Sequence, residues 1–152
     1  MLGVEDDEVM ILTAGGDVSS KGAQEVLKAL KIVDQNFKKW KYICKVWGGQ
    51  SADDHYEDEM ALIQELGESK DKVKYIEGPV SHDFMPYLLN ACDIYAAPSR
   101  LEGFGLIQVE AQACGKPVIS IDTMGPKETI IHGETGFLAK VAETVDLDGW
   151  GT

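Results

Sequence analysis

The stretch DIYAAPSRLEGFGLIQVEAQACGKPVISI, residues 93–121, has the pattern of a strand, a glycine-containing loop, a helix and a second strand. The first apolar run ends at Pro98. A loop over 99–103 follows, and Gly103 and Gly105 lie at the start of the helix, which we expect to begin near Phe104. Two strands joined through a helix normally lie parallel in one sheet. The stretch therefore predicts an α/β fold.

The same alternation runs through the rest of the chain. Apolar runs alternate with amphipathic patterns, which predicts a parallel sheet of about six strands with helices on both faces. In such a sheet, ligands bind at the carboxyl ends of the strands. The predicted strands are 9–14, 42–47, 72–77, 93–98, 116–121 and 135–140, and the predicted helices include 22–39, 53–66 and a brief one at 126–131.

Another helix is predicted after residue 83, because Pro86 decides between two candidate N-caps. With Ser81 as the N-cap, Pro86 would fall in the helix interior and delete a hydrogen bond; with Asp83 it lies in the first turn. The helical spacing predicts a buried face made of Phe84, Tyr87, Leu88 and Ala91.

Composition limits the classes of function. The chain has 152 residues, 44% of them hydrophobic, and a net charge of −12, which indicates one acidic globular domain. This charge argues against binding nucleic acid or an anionic membrane through overall electrostatics. Cys44, Cys92 and Cys114 are widely spaced and are expected to be buried free thiols. Without a signal-peptide pattern or a long apolar run, a cytoplasmic location is expected.

The loop GGDVSSKG, residues 15–22, follows the first strand and precedes the first long helix. Its glycines would let a ligand approach the backbone, and the helix N-terminus together with Lys21 would attract a phosphate. The loop matches neither of the two common glycine motifs for nucleotide binding. A plain glycine turn with a solvated lysine is the alternative.

The loop 98–105 and the helix after it contain further candidates. Gly103 and Gly105 are expected to present backbone N–H groups to an anion. Glu102 either complements the helix dipole or reaches a ligand at the same place. Glu110 has apolar neighbours at helical spacing, where a carboxylate is rarely buried without partners. It either pairs with a backbone N–H or a lysine, or it accepts hydrogen bonds from ligand hydroxyl groups.

Three segments, in this order along the chain, resemble the retaining GT-B glycosyltransferases of family 4. PSRLEGFGLIQVEAQACGKPVI (98–119) resembles their E-x7-E signature, with Glu102 and Glu110 as the two glutamates. SHDFMPYLLNACDIYAAPS (81–99) resembles the helix and strand before the signature, and GPKETIIHGETGFL (125–138) resembles the segment after it.

The resemblance implies a nucleotide-sugar site. Glu110 would hold the ribose hydroxyls of the donor, and Glu102 would hold hydroxyls of its sugar as a catalytic residue. Lys21, also catalytic, would contact the diphosphate and help the nucleoside diphosphate leave. The base would lie near residues 78–80. Other binding residues would be Gly15 and Gly16 in the first loop and the backbone of Gly103, Phe104, Gly105 and Leu106.

The resemblance also implies one Rossmann-like donor-binding domain over residues 1–152, without the N-terminal acceptor domain and final C-terminal helices of that family. The donor would be a UDP-, GDP- or ADP-sugar, and the other domain would bind the acceptor, a glycan, lipid or small molecule. No cofactor, metal or nucleic acid is expected, and no membrane contact through this domain, although the whole protein could lie at the cytoplasmic membrane face. Alone, the domain is expected to catalyse little.

One position departs from the family pattern: Gly16 stands where an arginine is usual, and Asp17 follows it. Either Lys127 or a residue outside the chain supplies the charge, or the loop holds phosphate through its backbone alone. Two other functions remain open, half of a GT-B nucleotide-sugar epimerase and a non-catalytic flavodoxin-like binding or scaffold domain. A cation site at the acidic residues 53–59 is a weaker alternative, since a helix N-terminus already stabilises such charges.

Overall fold

The computed structural model describes residues 2–15, 20–46, 53–81 and 83–141, with side chains from 56 onward in the third range. These residues form one sheet of six strands, and every neighbouring pair is parallel. In chain order the strands are β1 (Val9–Ala14), β2 (Trp40–Lys45), β3 (Val73–Ile76), β4 (Ile94–Ala96), β5 (Val118–Ile121) and β6 (Gly136–Ala139). The predicted α/β fold with a parallel six-stranded sheet is confirmed.

The connections between the strands are helical. They are α1 (Ala23–Val33), α2 (Asp53–Glu65), a 3₁₀ helix (Gly67–Lys72), α3 (Phe84–Ala91), α4 (Leu106–Ala113) and α5 (Met124–Thr129). Among these described elements, no helix is both long and apolar enough to span a membrane.

Helix α1 is shorter than the predicted helix 22–39, which was wrong about the C-terminal end. Asp34, its C-cap, is buried, and its carboxylate accepts hydrogen bonds from Trp40 Nε1 at 3.0 Å and Ser69 Oγ at 2.9 Å. These contacts draw the chain into the turn that leads to β2. A buried polar anchor therefore ends the helix before its amphipathic pattern does.

Two hydrophobic cores lie on opposite faces of the sheet, because successive strand side chains point to opposite faces. On one face, helices α1 and α2 pack against Trp40, Tyr42 and Cys44 of β2. On the other, α3 and α4 pack against residues of β1, including Met10 and Leu12. Helices therefore cover both faces, as the apolar strands predict.

The buried face of α3 differs from the predicted one. Leu88 and Leu89 are buried, and Phe84 and Met85 pack against the same core. Tyr87 is 75% exposed, so its predicted place in the buried face was wrong, as was that of Ala91. The helix thus turns two adjacent i, i+4 pairs toward the core, Phe84 with Leu88 and Met85 with Leu89. Both pairs lie on one face when a helix packs flat on a sheet. Asp83 precedes the helix as predicted but makes no side-chain cap hydrogen bond.

The strand order places a crevice at the centre of the sheet. The order is β3-β2-β1-β4-β5-β6, so β1 and β4 are neighbours although α1 and α4 leave them toward opposite faces. At such a reversal the two following loops diverge and leave an opening beyond the carboxyl ends of the strands. Gly15 and Lys21, which follow β1, and residues 102–105, which follow β4, border this opening.

Candidate functional site

Two adjoining cavities of about 410 Å³ each occupy the crevice, and Gly15 and Ile107 line both of them. We call the first the Glu110 lobe; it is lined by Ala14, Gly15, Lys45, Val80, Ser81, Met85, Ile107 and Glu110. The second, the Lys21 lobe, is lined by Gly15, Lys21, Tyr95, Glu102, Gly103, Phe104, Gly105, Leu106, Ile107 and Gln108. Every candidate site residue that the structure describes therefore lies in one of the two lobes; Gly16 lies outside the described residues.

Lys21 and Glu102 form an ion pair in the Lys21 lobe. Lys21 Nζ donates a hydrogen bond to Glu102 Oε2 at 2.5 Å, and the two side chains are 24% and 15% exposed. The residues are 81 positions apart in sequence. The loops after β1 and β4 are thus tied together by opposite charges directly above the crevice.

Gly15 leaves room for the lysine of this pair. A Cβ atom at Gly15 would come within 2.8 Å of Lys21 Cγ and 3.1 Å of Lys21 Cε. The side chain of Lys21 therefore lies across the glycine to reach Glu102. This contact explains why a glycine directly follows β1.

Helix α4 begins at Leu106, later than the start predicted near Phe104. Gly105 is the N-cap with a φ of 84°, a left-handed conformation that favours glycine. Its N–H donates to Glu102 Oε1 at 3.2 Å. The N–H that the sequence analysis expects to face an anion thus donates to the carboxylate of Glu102, and its contact with a ligand stays a prediction.

The start of α5 packs closely against the backbone of Gly103 and Phe104. Gly125 is buried there, and a Cβ atom at this position would overlap the carbonyl oxygen of Gly103 and the Cα atom of Phe104. The preceding Met124 has a φ of 51°, which is uncommon for a residue other than glycine. Strained backbone of this kind tends to cluster at functional sites.

Glu110 is exposed, although its apolar neighbours in the sequence suggested a buried stripe. Leu106 is also 68% exposed, so this side of α4 faces the crevice and not the core. The Glu110 carboxylate makes no hydrogen bond or ion pair with any residue in the described ranges. The first alternative from the sequence, a pairing with a backbone N–H or a lysine, is therefore not found among the described residues, and the second, hydrogen bonds from ligand hydroxyl groups, stays a prediction.

The buried polar residue of α4 is Gln108, which sequence reasoning missed. It is 1% exposed, and its Nε2 donates to the Ala97 carbonyl and to Ser120 Oγ at 3.1 Å each. These bonds join the start of α4 to the ends of β4 and β5. Oε1 of Gln108 has no hydrogen-bond partner among the residues that the structure describes. The available signal was a glutamine between Ile107 and Val109, in a helix whose other polar residues are Glu110 and Gln112.

Lys45 was also missed. It is 1% exposed and lies in the wall of the Glu110 lobe, where Nζ donates to the carbonyl of Val46 at 2.5 Å and that of Gly78 at 2.7 Å. Burial lowers the pKa of its ammonium group. A lysine at the end of an apolar strand was the signal for a cation at the carboxyl edge of the sheet.

Lys127, considered as a substitute for the missing arginine, does not line either lobe. It is 65% exposed and lies 3.9 Å from Asp122 Oδ1. Among the described residues, no group of three or more histidine, cysteine or acidic side chains is placed to hold a metal ion. Within the part of the chain that the structure describes, the cations that line the two lobes are Lys21 and Lys45.

The strand order and the crevice at its reversal define a Rossmann-like α/β domain, of the type found in GT-B glycosyltransferases. A profile of the family described as "Glycosyl transferases group 1" matches residues 2–147. The chain belongs to this family.

Curated relatives and a solved structure agree with this assignment. The chain is 32% identical over 145 residues to the uncharacterized glycosyltransferase MJ1178 of Methanocaldococcus jannaschii, covering 94% of this chain and 37% of the relative. It is 27% identical over 135 residues to the capsular polysaccharide biosynthesis glycosyltransferase CapM of Staphylococcus aureus, covering 89% and 33%. The chain thus spans about a third of the length of these relatives.

The solved structure is that of Alr3699/HepE from Anabaena, in complex with UDP and glucose. It superposes with a TM-score of 0.80 at 29% identity, covering 93% of this chain and 37% of that one. A second structure of the same Anabaena protein is a complex with UDP-glucose, with a TM-score of 0.77.

Proposed function

We propose that this chain is the donor-binding domain of a retaining glycosyltransferase of family 4, which moves a sugar from a nucleotide-sugar to an acceptor hydroxyl. The observation that carries the proposal is the pairing of two lobes at one crevice. One contains an exposed carboxylate without a described partner, and the other contains a lysine and a second carboxylate. A nucleotide-sugar needs acceptors for its hydroxyl groups and a cation for its phosphates.

The Glu110 lobe suits a nucleoside. Its exposed carboxylate would accept hydrogen bonds from the ribose hydroxyls, which are charge-assisted and therefore strong. Val80, Met85 and Ile107 give the lobe apolar walls on which a base can lie. Lys45, between the carbonyls of Val46 and Gly78, adds a fixed cation at this wall.

The Lys21 lobe suits the diphosphate and the sugar. Lys21 would contact the diphosphate and stabilise the negative charge that develops when the bond between the anomeric carbon and the phosphate oxygen breaks. Glu102 would accept hydrogen bonds from sugar hydroxyls. The backbone from Gly103 to Leu106, together with Gly15, would line both groups.

UDP-sugars are the first donors to test, since the Anabaena protein binds UDP and UDP-glucose. Glu102 and Glu110 have the E-x7-E spacing of family 4. Retention of the anomeric configuration is proposed from the resemblance to that family. We propose no cofactor or metal, and an acceptor site in another domain of a longer protein. Without that domain the chain would bind donor but transfer little, because catalysis requires both substrates to be held together.

The test is calorimetric titration of the 152-residue chain with UDP, GDP and ADP, each alone and as its glucose conjugate. We expect one base series to bind, and Glu110→Gln to weaken it about tenfold, because two charge-assisted hydrogen bonds become neutral ones. Glu134→Gln is the control, since this exposed acid lies just before β6, at the amino ends of the strands, whereas the crevice lies beyond their carboxyl ends. Absence of binding by every nucleotide, or binding that Glu110→Gln leaves unchanged, would contradict the proposal.

A further inference from the structure

The two charged groups of the Lys21 lobe are already satisfied by each other and by the loop. Glu102 Oε2 accepts from Lys21 Nζ at 2.5 Å and lies 3.5 Å from Ser99 Oγ, while Oε1 accepts from the Gly105 N–H at 3.2 Å. Both side chains are mostly shielded from solvent, at 24% and 15% exposure. A ligand must therefore compete with Glu102 for Lys21.

This competition affects a nucleoside diphosphate and a nucleotide-sugar differently. A diphosphate alone can take Lys21 only by separating it from Glu102, and the carboxylate is then left beside a second negative charge without its strongest partner. Such separation is costly where solvent screening is weak. A nucleotide-sugar brings phosphate oxygens for Lys21 and hydroxyl donors for Glu102, so each member of the pair receives a new partner.

We propose that the Lys21–Glu102 ion pair makes the site select an intact nucleotide-sugar over the nucleoside diphosphate. This inference rests on the proposed function. Once the sugar has been transferred, Glu102 loses its hydroxyl partners and takes back Lys21. The hold on the diphosphate product weakens at that moment, which favours its release.

The test compares UDP and UDP-glucose, or the base series that the unaltered chain prefers, on the Glu102→Gln variant. The amide keeps an Oε1 acceptor for the Gly105 N–H but no longer competes by charge for Lys21. We expect UDP affinity to rise about five- to tenfold, the range set by a partly shielded ion pair. UDP-glucose affinity should stay level or fall, since the sugar loses its charged acceptor.

Two controls separate this effect from others. Asp122→Asn removes one negative charge at the same edge of the sheet, after β5, and should change UDP affinity less than about twofold. The Lys21→Met/Glu102→Gln double variant should bind UDP no better than Lys21→Met alone, because the gain acts through Lys21. Amide spectra or thermal unfolding would verify that each variant is folded.

The outcomes are distinguishable. Selection by the ion pair is overturned if Glu102→Gln binds UDP no more tightly than the unaltered chain. It is also overturned if Asp122→Asn gains as much UDP affinity, or if the gain in UDP affinity persists in the variant without Lys21. Each of these results leaves nucleotide binding itself intact. If the unaltered chain binds no nucleotide, the proposed function fails and this inference fails with it.

Discussion

Burial separates side chains that can meet a ligand from those that hold the site in place. Glu110 is exposed in its lobe, whereas Tyr95, at the floor of the Lys21 lobe, is 1% exposed and donates to the Ala14 carbonyl at 3.0 Å. Burial raises the pKa of the Tyr95 hydroxyl, with a smaller opposing contribution from that hydrogen bond. Tyr95 therefore keeps its proton at neutral pH and joins β4 to the end of β1.

The cysteines give a test of burial at the scale of single residues. Burial raises the pKa of Cys44 to about 12 and that of Cys92 to about 11, and all three cysteines are free. At pH 8 the thiolate fraction of Cys44 is on the order of one in ten thousand. Cys114, only partly buried, should therefore react first with iodoacetamide, as read by peptide mass spectrometry.

Denaturant supplies the control for this order, because it should make the three cysteines react at similar rates. Native-state alkylation of Cys44 as fast as that of Cys114 would show that the face of the sheet below α1 and α2 is not closed.

At the scale of elements, the loops after β1 and β4 hold each other in position. Gly22 precedes α1 with a φ of 87°, and a Cβ atom there would overlap the carbonyl oxygen of Pro98. Nearby, the Arg100 N–H donates to the Ser20 carbonyl at 3.1 Å. The backbone contacts between these loops set the distance across which Lys21 meets Glu102.

Replacing Gly22 tests this close approach. Gly22→Ala should lower the free energy of unfolding by about 2 kcal/mol or more, since strained φ and overlap with Pro98 add. Gly67→Ala is a matched control, because Gly67 also has a positive φ, of 60°, but its added Cβ would meet nothing within 4 Å. It should cost about 1 kcal/mol, measured by urea unfolding. Equal losses in the two variants would contradict a tight contact between the loops.

For the whole molecule, the sequence predicts the strands better than the helices or the site contacts. The apolar run 9–14 coincides with β1 because a strand covered on both faces is apolar along its length. The predicted helix 22–39 extends past Val33 because its periodicity continues beyond the buried Asp34. The Lys21–Glu102 pair joins residues 81 positions apart. Such a contact depends on loop geometry, which composition and spacing do not encode.

The location of the site could be predicted more fully than its chemistry. The carboxyl ends of parallel strands and two glycine loops indicate the crevice, and the resemblance to family 4 adds Glu102, Glu110 and Lys21 as candidates. Spacing alone did not predict that Glu110 is exposed, or that Gln108 is the buried polar residue of α4, since a helix of eight residues can turn either side to the core. Tertiary packing decides that orientation.

The central claim is that the crevice beyond β1 and β4 binds a nucleotide, and amide chemical-shift mapping tests it most directly. When UDP is added to the 15N-labelled chain, we expect the largest shifts at Gly15, Gly103, Gly105, Ile107 and Glu110, with smaller ones near Val80. The amide signals of residues 133–135, which lie at the opposite edge of the sheet, at the amino end of β6, should not shift. Saturable shifts confined to the crevice are the predicted result. An unchanged spectrum with UDP, GDP and ADP, or largest shifts at that opposite edge, would contradict the account.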